Sequence, residues 1–139
     1  DKAFLDTNVL VYAYDRSDPI RQRRAQELLE AGIADGETYL SAQVLGEFFV
    51  VVTQKIKSPM STDEAYAVVQ LLSRLPVVEI DAGLVARAIE NRREFGISYW
   101  DGLIVAAAER SGCTHILSED FTHGRSYRNI QAMNPFATS

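Results

Sequence analysis

Four acidic residues stand where a carboxylate is costly, and together they have the chemistry of a cation site. Asp6 directly follows the apolar run Ala3–Leu5, and Asp120 comes shortly after Thr114–Leu117. Glu47 has Val44 before it and Val50 and Val51 after it at helical spacing, so on a helix its carboxylate projects from an apolar stripe. Asp101 stands in the same relation to Ile104, Val105 and Ala108, in a segment that is apolar almost all round. Acids are almost never fully buried unless paired, and neither Glu47 nor Asp101 has a basic residue one turn away. Taken singly, Asp6 also reads as a helix cap, Asp120 as a solvated loop acid and Asp101 as a charge favoured by a helix N-terminus.

Convergence of the four would change the energetics. Two carboxylates about 4 Å apart repel by about 4 kcal/mol at an effective dielectric of about 20. Several such pairs rival the whole stability of a small domain, roughly 5–15 kcal/mol. Protons or a cation must relieve that cost. An all-oxygen, carboxylate-rich site suits Mg²⁺ or Mn²⁺. Zinc is disfavoured, because Cys113, His115 and His123 show no ligand spacing.

Short apolar runs alternating with helical periodicity must position these acids. Ala3–Leu5, Thr38–Leu40, Val77–Ile80 and Thr114–Leu117 read as strands, and Asn129–Ala132 as a last edge strand. Helices are expected over Asn8–Tyr14, over Pro19–Ala31 with Gly32 near its end, and from Ala42 to about Lys55 behind a Ser41 cap. Further helices are expected through Ala65–Leu72 behind Ser61 or Thr62, over Ala82–Glu94 behind Asp81, and over Tyr99–Arg110 behind Ser98. Strands alternating with helices predict an α/β fold, an α/β/α sandwich around a mainly parallel sheet. Asp6 and Asp120 then lie at the carboxyl ends of strands, where open parallel sheets place their ligands.

Composition sets broad bounds. At 139 residues the chain has the size of one domain, and no repeat or linker divides residues 1–139. The single cysteine excludes an internal disulfide and fits a reducing cytoplasm. No apolar run approaches the ~20 residues that span a bilayer, and no signal-peptide pattern opens the chain. It opens on Asp1 rather than methionine, so native residues are expected to precede it. The net charge of −5 argues mildly against a nucleic-acid partner. Setting aside four acids as metal ligands leaves 15 acidic against 14 basic residues, which removes that argument.

The motifs Phe4-Leu5-Asp6-Thr7-Asn8, Glu47 in a mid-chain helix, Tyr99-Trp100-Asp101-Gly102-Leu103-Ile104 and Ile116-Leu117-Ser118-Glu119-Asp120-Phe121 together resemble PIN-domain nucleases. More closely, they resemble the VapC-type toxins of bacterial toxin–antitoxin pairs. The similarity covers nearly the whole chain, in the family's order. It implies an acidic quartet of Asp6, Glu47, Asp101 and Asp120 at one end of a parallel sheet, with Asn8 and Ser118 supporting the site or a ligand water. It also implies a homodimer and a small antitoxin whose C-terminal segment enters the active-site groove. Glu119, beside Asp120, competes for the place of the fourth acid.

The chemistry expected is in-line hydrolysis of an RNA phosphodiester by a metal-activated water, leaving a 5′-phosphate and a 3′-hydroxyl. Asp6, Asp101 and Asp120 would be direct ligands, with Glu47 a ligand or a base acting through water. No Cys–His or Ser–His–Asp pattern and no Gly-rich phosphate loop competes with this reading. Arg125 and Arg128, just after Asp120, are the candidates for RNA phosphate contact, with His123 as a possible helper. The arginines at 21, 23 and 24 and at 92 and 93 read as solvated helix surface, and Trp100 as core or dimer packing. The rival within the fold is a non-cleaving PIN-like module that binds RNA or protein, whose signature is loss of one or more acids. A phosphate-receiving signalling domain needs a late lysine, and the lysines are Lys2, Lys55 and Lys57. A haloacid-dehalogenase-type phosphatase needs Asp-x-Asp where this chain has Asp6-Thr7-Asn8.

Overall fold

In the computed structural model, which describes residues 1–137, the first strand is three residues long and ends at the first candidate acid. The elements run β1 (Ala3–Leu5), α1 (Thr7–Ala13), α2 (Pro19–Asp35), β2 (Thr38–Ser41), α3 (Ala42–Gln54) and α4 (Thr62–Leu72). They continue with β3 (Val77–Val78), α5 (Ala82–Phe95), α6 (Tyr99–Arg110), β4 (His115–Leu117), β5 (Ser126–Tyr127) and β6 (Ile130–Met133). The strands form one sheet in the order β3-β2-β1-β4-β6-β5, parallel except for the β5–β6 pair. Helices flank it in the expected α/β/α sandwich.

The chain places β2 and β3 on one side of β1, then returns to lay β4 on the other. The order therefore reverses between β1 and β4, the kind of switch point at which open parallel sheets bind ligands. Leu5 registers with Leu117, so Asp6 and Ser118 leave the sheet side by side. Asp6 N donates to the Leu117 carbonyl at 3.0 Å, carrying the ladder one step beyond the strand.

Local caps follow residue chemistry. Ser41, Asp81 and Ser98 each accept from a backbone N–H in the first turn of the helix they precede. Ser61 and Glu64 form a reciprocal capping box that starts α4. Three expectations need correction. Gly32 does not end α2; the helix continues to Asp35 and closes at Gly36, whose φ is 71°. Gly32 is instead a close-packing position, since a Cβ there would lie 2.1 Å from Thr38 Oγ1. β3 stops at Val78, leaving Ile80 exposed. The last strand is not an edge: β6 lies between β4 and the short β5, which pairs back through a turn at Arg128 with φ 58°. A two-residue strand joined by a turn without glycine carries little sequence signal.

The helix that carries Asp101 is buried continuously from Gly102 to Ala108. Its small residues let α5 and α6 pack closely, and the tightest point is Gly102. A Cβ on Gly102 would lie 2.5 Å from the Ala88 carbonyl oxygen in α5. Buried Asn91 locks the same junction, donating from Nδ2 to the Gly102 carbonyl at 3.0 Å. Gly102→Ala should therefore destabilise the protein by about 1–3 kcal/mol through overpacking, despite the better helix propensity of alanine. The midpoint of urea unfolding measures it; an unchanged or higher midpoint would refute the close-packing account.

Candidate active site

The four candidate acids line one cleft of about 420 Å³. Asp6 comes from the end of β1, Asp120 from the loop after β4, Glu47 from α3 and Asp101 from the first turn of α6. Asp15 also borders the cleft, and none of its lining residues is a lysine, arginine or histidine. Val44 and Val51 lie on the inward side of α3 as the stripe predicts, whereas Val50 is 40% exposed.

Asp6 is the most enclosed acid, at 7% exposure. Its Oδ1 accepts from Thr7 N at 2.7 Å, and its Oδ2 accepts from Ser118 Oγ at 2.7 Å. Those bonds favour the charged form, but burial outweighs them, and Asp120 and Asp101 add repulsion. The Asp6 carboxyl is pushed up to about 6. Asp101 is also raised, first by burial and then by the charge of Asp120.

Around this acid the polar groups interlock. Ser118 Oγ accepts from Asn8 Nδ2 at 3.3 Å and from Asp120 N at 3.0 Å. Asn8 Nδ2 also donates to Asp120 Oδ2 at 3.0 Å, and Asn8 Oδ1 accepts from Glu119 N at 3.2 Å. Thr7 Oγ1 donates to Glu47 Oε1 at 3.0 Å, tying the start of α1 to α3. Asn8 and Ser118 thus hydrogen-bond to two of the four candidate acids, Asp120 and Asp6.

The neighbouring acids Glu119 and Asp120 part company. Glu119 accepts from Tyr12 Oη at 2.6 Å and from Arg21 Nε at 2.8 Å. Burial and that carboxylate push the Tyr12 hydroxyl up to about 12. Glu119 is therefore neutralised outside the cleft, while Asp120 lines it. Tyr12, Gln43 and Trp100 line the cleft too, and sequence reasoning missed all three as site residues. Trp100, expected in core or dimer packing, is 59% exposed and so lies outside the core of the chain. Gln43 Nε2 donates to the Trp100 carbonyl at 3.2 Å, which joins α3 to the turn that carries Asp101.

Arg125 and Arg128 do not line the cleft. The β5–β6 hairpin carries them instead to the C-terminal end of α5. Arg125 Nη2 donates to the Phe95 carbonyl at 2.8 Å, and its guanidinium lies 4.7 Å from the Tyr127 ring centre. Arg128 donates from Nε to Asn91 Oδ1 and pairs with Glu94. His123 is likewise engaged, accepting from Asn134 N through Nδ1. Being near Asp120 in the chain did not place these residues in the lining of the cleft.

The donor set fits a hard divalent cation. The cleft offers carboxylate oxygens from four elements, no soft ligand and no internal positive charge. Gln43 Oε1 adds a buried oxygen with no hydrogen-bond donor among the described residues. As the side chains lie, no group of three His, Cys, Asp or Glu among the described residues stands close enough to hold one ion. The carboxylates repel one another across the cleft, and an ion bound there would have to draw them together.

Folded Asp6 holds its proton more tightly than unfolded Asp6, so its contribution to stability is full below about 3.8 and is lost as pH rises through about 6. The gap between those values corresponds to about 3 kcal/mol at most. In chelator the protein should melt at a higher temperature at about pH 5 than at about pH 7.5. Asp101→Asn should raise the melting temperature at the higher pH, and Mg²⁺ or Mn²⁺ should raise that of the unaltered protein. Flat melting between the two pH values, with no effect of ion or substitution, would mean the carboxylates do not interact.

The PIN domain profile matches residues 3–127. The chain is 27% identical over 126 residues to ribonuclease VapC23 of Mycobacterium tuberculosis, covering 91% of this chain and 98% of that protein. Among solved structures, a toxin–antitoxin complex from Klebsiella pneumoniae superposes with a TM-score of 0.74 at 18% identity, over 99% of this chain and 100% of that one. The Sarcin-Ricin loop cleaving toxin VapC20 of M. tuberculosis gives a TM-score of 0.69 at 20% identity, over 86% and 90% of the two chains. VapBC2 from Rickettsia felis, bound to a DNA fragment from its promoter, gives 0.69 at 21% identity, over 96% and 98%. These structures share the fold, and the profile spans most of the sequence: the chain belongs to the PIN-domain family.

Proposed function

We propose that this protein is a Mg²⁺- or Mn²⁺-dependent endoribonuclease, the toxin of a toxin–antitoxin pair. One observation carries the reading: Asp6, Glu47, Asp101 and Asp120 line a single cleft at the sheet's switch point, with no basic residue among them. The ribonuclease name of VapC23 and the toxin–antitoxin complex of similar fold support the biological role. On this reading the partners are an RNA substrate, a cognate antitoxin and a second copy of the chain, and the site of action is the cytoplasm.

Asp6, Asp101 and Asp120 would hold the ion, with Glu47 as a further ligand or a base acting through water. Bound there, the ion would acidify a water and stabilise negative charge on the scissile phosphate and its leaving oxygen. Ser118 holds Asp6 in one orientation, so a carboxylate oxygen is presented to the cleft without a change of rotamer. Asn8 does the same for Asp120, and Thr7 for Glu47. Glu47 keeps its second oxygen free of side-chain bonds among the described residues, as a proton acceptor requires.

Purified protein, free of antitoxin, should cut a mixed RNA pool with Mn²⁺ and not with chelator. Asp6→Ala should lose about 10²-fold or more of the rate, the scale of removing a group that acts in the transition state. The products should carry 5′-phosphate and 3′-hydroxyl ends. Ends bearing 2′,3′-cyclic phosphate would sink the mechanism. Ion binding without cutting any RNA would favour the non-cleaving module.

A further inference from the structure

The cleft that would cut RNA has no positive side chain to grip it, so the grip must lie elsewhere. Many of the arginines are already committed. Arg21, Arg24, Arg87, Arg110 and Arg128 each pair with a carboxylate. Arg92 and Arg93 pair with none among the described residues; Arg92 makes only a 3.4 Å bond to the Ile97 carbonyl. Both are exposed at the end of α5. They line a second cavity, of about 640 Å³, together with Ile89, Gly96, Ile97 and Ser98. Arg125, held on the Phe95 carbonyl, adds a third guanidinium at the same helix end.

This basic cavity adjoins the acidic one. Ser98 borders the first and Trp100 the second, with only Tyr99 between them in the chain. Trp100 is the largest apolar side chain left exposed, and Tyr99 braces its ring edge-to-face at 4.9 Å. An exposed, braced indole between a carboxylate site and unpaired arginines has the makings of a single-strand platform, on which bases stack while cations follow the phosphates. We propose that single-stranded RNA leaves the acidic cleft across Trp100, with a base stacked on the indole and its phosphates on Arg92, Arg93 and Arg125. The assignment rests on the ribonuclease reading and names the substrate path that reading lacks.

Trp100 is the sole tryptophan, so its emission reports the platform directly. The test is titration of the full chain with a short single-stranded RNA of mixed sequence, in chelator and at low salt so that no cutting occurs. Binding should quench Trp100 emission. Arg92→Ala with Arg93→Ala should weaken binding about tenfold or more and flatten the slope of log affinity against log salt by about 1.4. Arg23→Ala with Arg24→Ala, which removes equal charge from α2, should leave binding and slope unchanged. Trp100→Leu should weaken binding about tenfold. RNA binding without quenching, or an Arg92/Arg93 variant that binds like the parent, would overturn the path and leave the nuclease reading standing. No binding by the parent chain would overturn the path, and a blank cleavage assay beside it would overturn the nuclease reading too. A Trp100→Leu variant that binds RNA fully but changes from dimer to monomer in sedimentation would also overturn it and assign the ring to a self-interface.

Discussion

The hydroxyl of Ser118 is the joint on which the candidate site is built. It is fully buried, and its one proton goes to Asp6 Oδ2 while its lone pairs receive Asn8 Nδ2 and Asp120 N. One atom therefore links β1, α1 and the loop after β4. The link exists because parallel pairing sets Leu5 against Leu117, so the next residue of each strand meets the other just beyond the ladder. A hydrogen bond to a charged group contributes about 1.5–3 kcal/mol, which offsets part of the cost of burying Asp6. It does not offset all of it, and Asp6 is still raised to about 6. What remains is a site held in shape by its hydrogen bonds and incomplete in its charge.

Much of this was legible in the residues. Glu47 and Asp101 stood out because a carboxylate on an apolar helix face has few explanations, whereas Asp6, taken alone, read equally as a helix cap. Asp6 and Asp101 sit at the element ends their sequence neighbours imply. The choice between Glu119 and Asp120 was not legible. It depends on Tyr12 and Arg21, about a hundred positions away in the chain, which claim Glu119 and leave Asp120 to the cleft. Gly32 misled for a related reason, since helix-end chemistry and close packing both select glycine and only the approach of Thr38 separates them. Arg125 and Arg128 stand off the cleft because a two-residue strand, invisible to periodicity, folds them back over α5.

The arginines show how an acidic protein can still offer a binding face to an anion. With a net charge of −5, the whole molecule repels RNA at long range. Screening confines such repulsion to about 10 Å at ordinary salt, so local arrangement decides the contact. Pairing Arg21 with Glu119, Arg87 with Glu109 and Arg110 with Asp81 uses positive charge to bind elements together. Of the guanidiniums outside ion pairs among the described residues, Arg16, Arg23 and Arg74 stand elsewhere, while Arg92, Arg93 and Arg125 gather at one helix end, beside the turn that leads to Asp101. Their position also favours α5 itself, whose C-terminal dipole is stabilised by cations. On the proposed RNA path, structural and binding demands agree on the same residues, which is why their exposure alone did not mark them out.

Fold stability does not account for the charge in the cleft. As a helix cap, Asp6 needs only an acceptor for Thr7 N, and asparagine would supply one without a buried charge. Asp101 is a sharper case. Its carboxylate makes no hydrogen bond of usual geometry with another residue among the described ones, though Ser98 close by moderates its rise. A helix N-terminus rewards such a charge by about 0.3–1 kcal/mol, less than the repulsion between close carboxylates. A neutral side chain at either position would serve the fold at least as well. The carboxylates make physical sense when something positive completes them, and that supports reading the cleft as a cation site rather than as a by-product of packing.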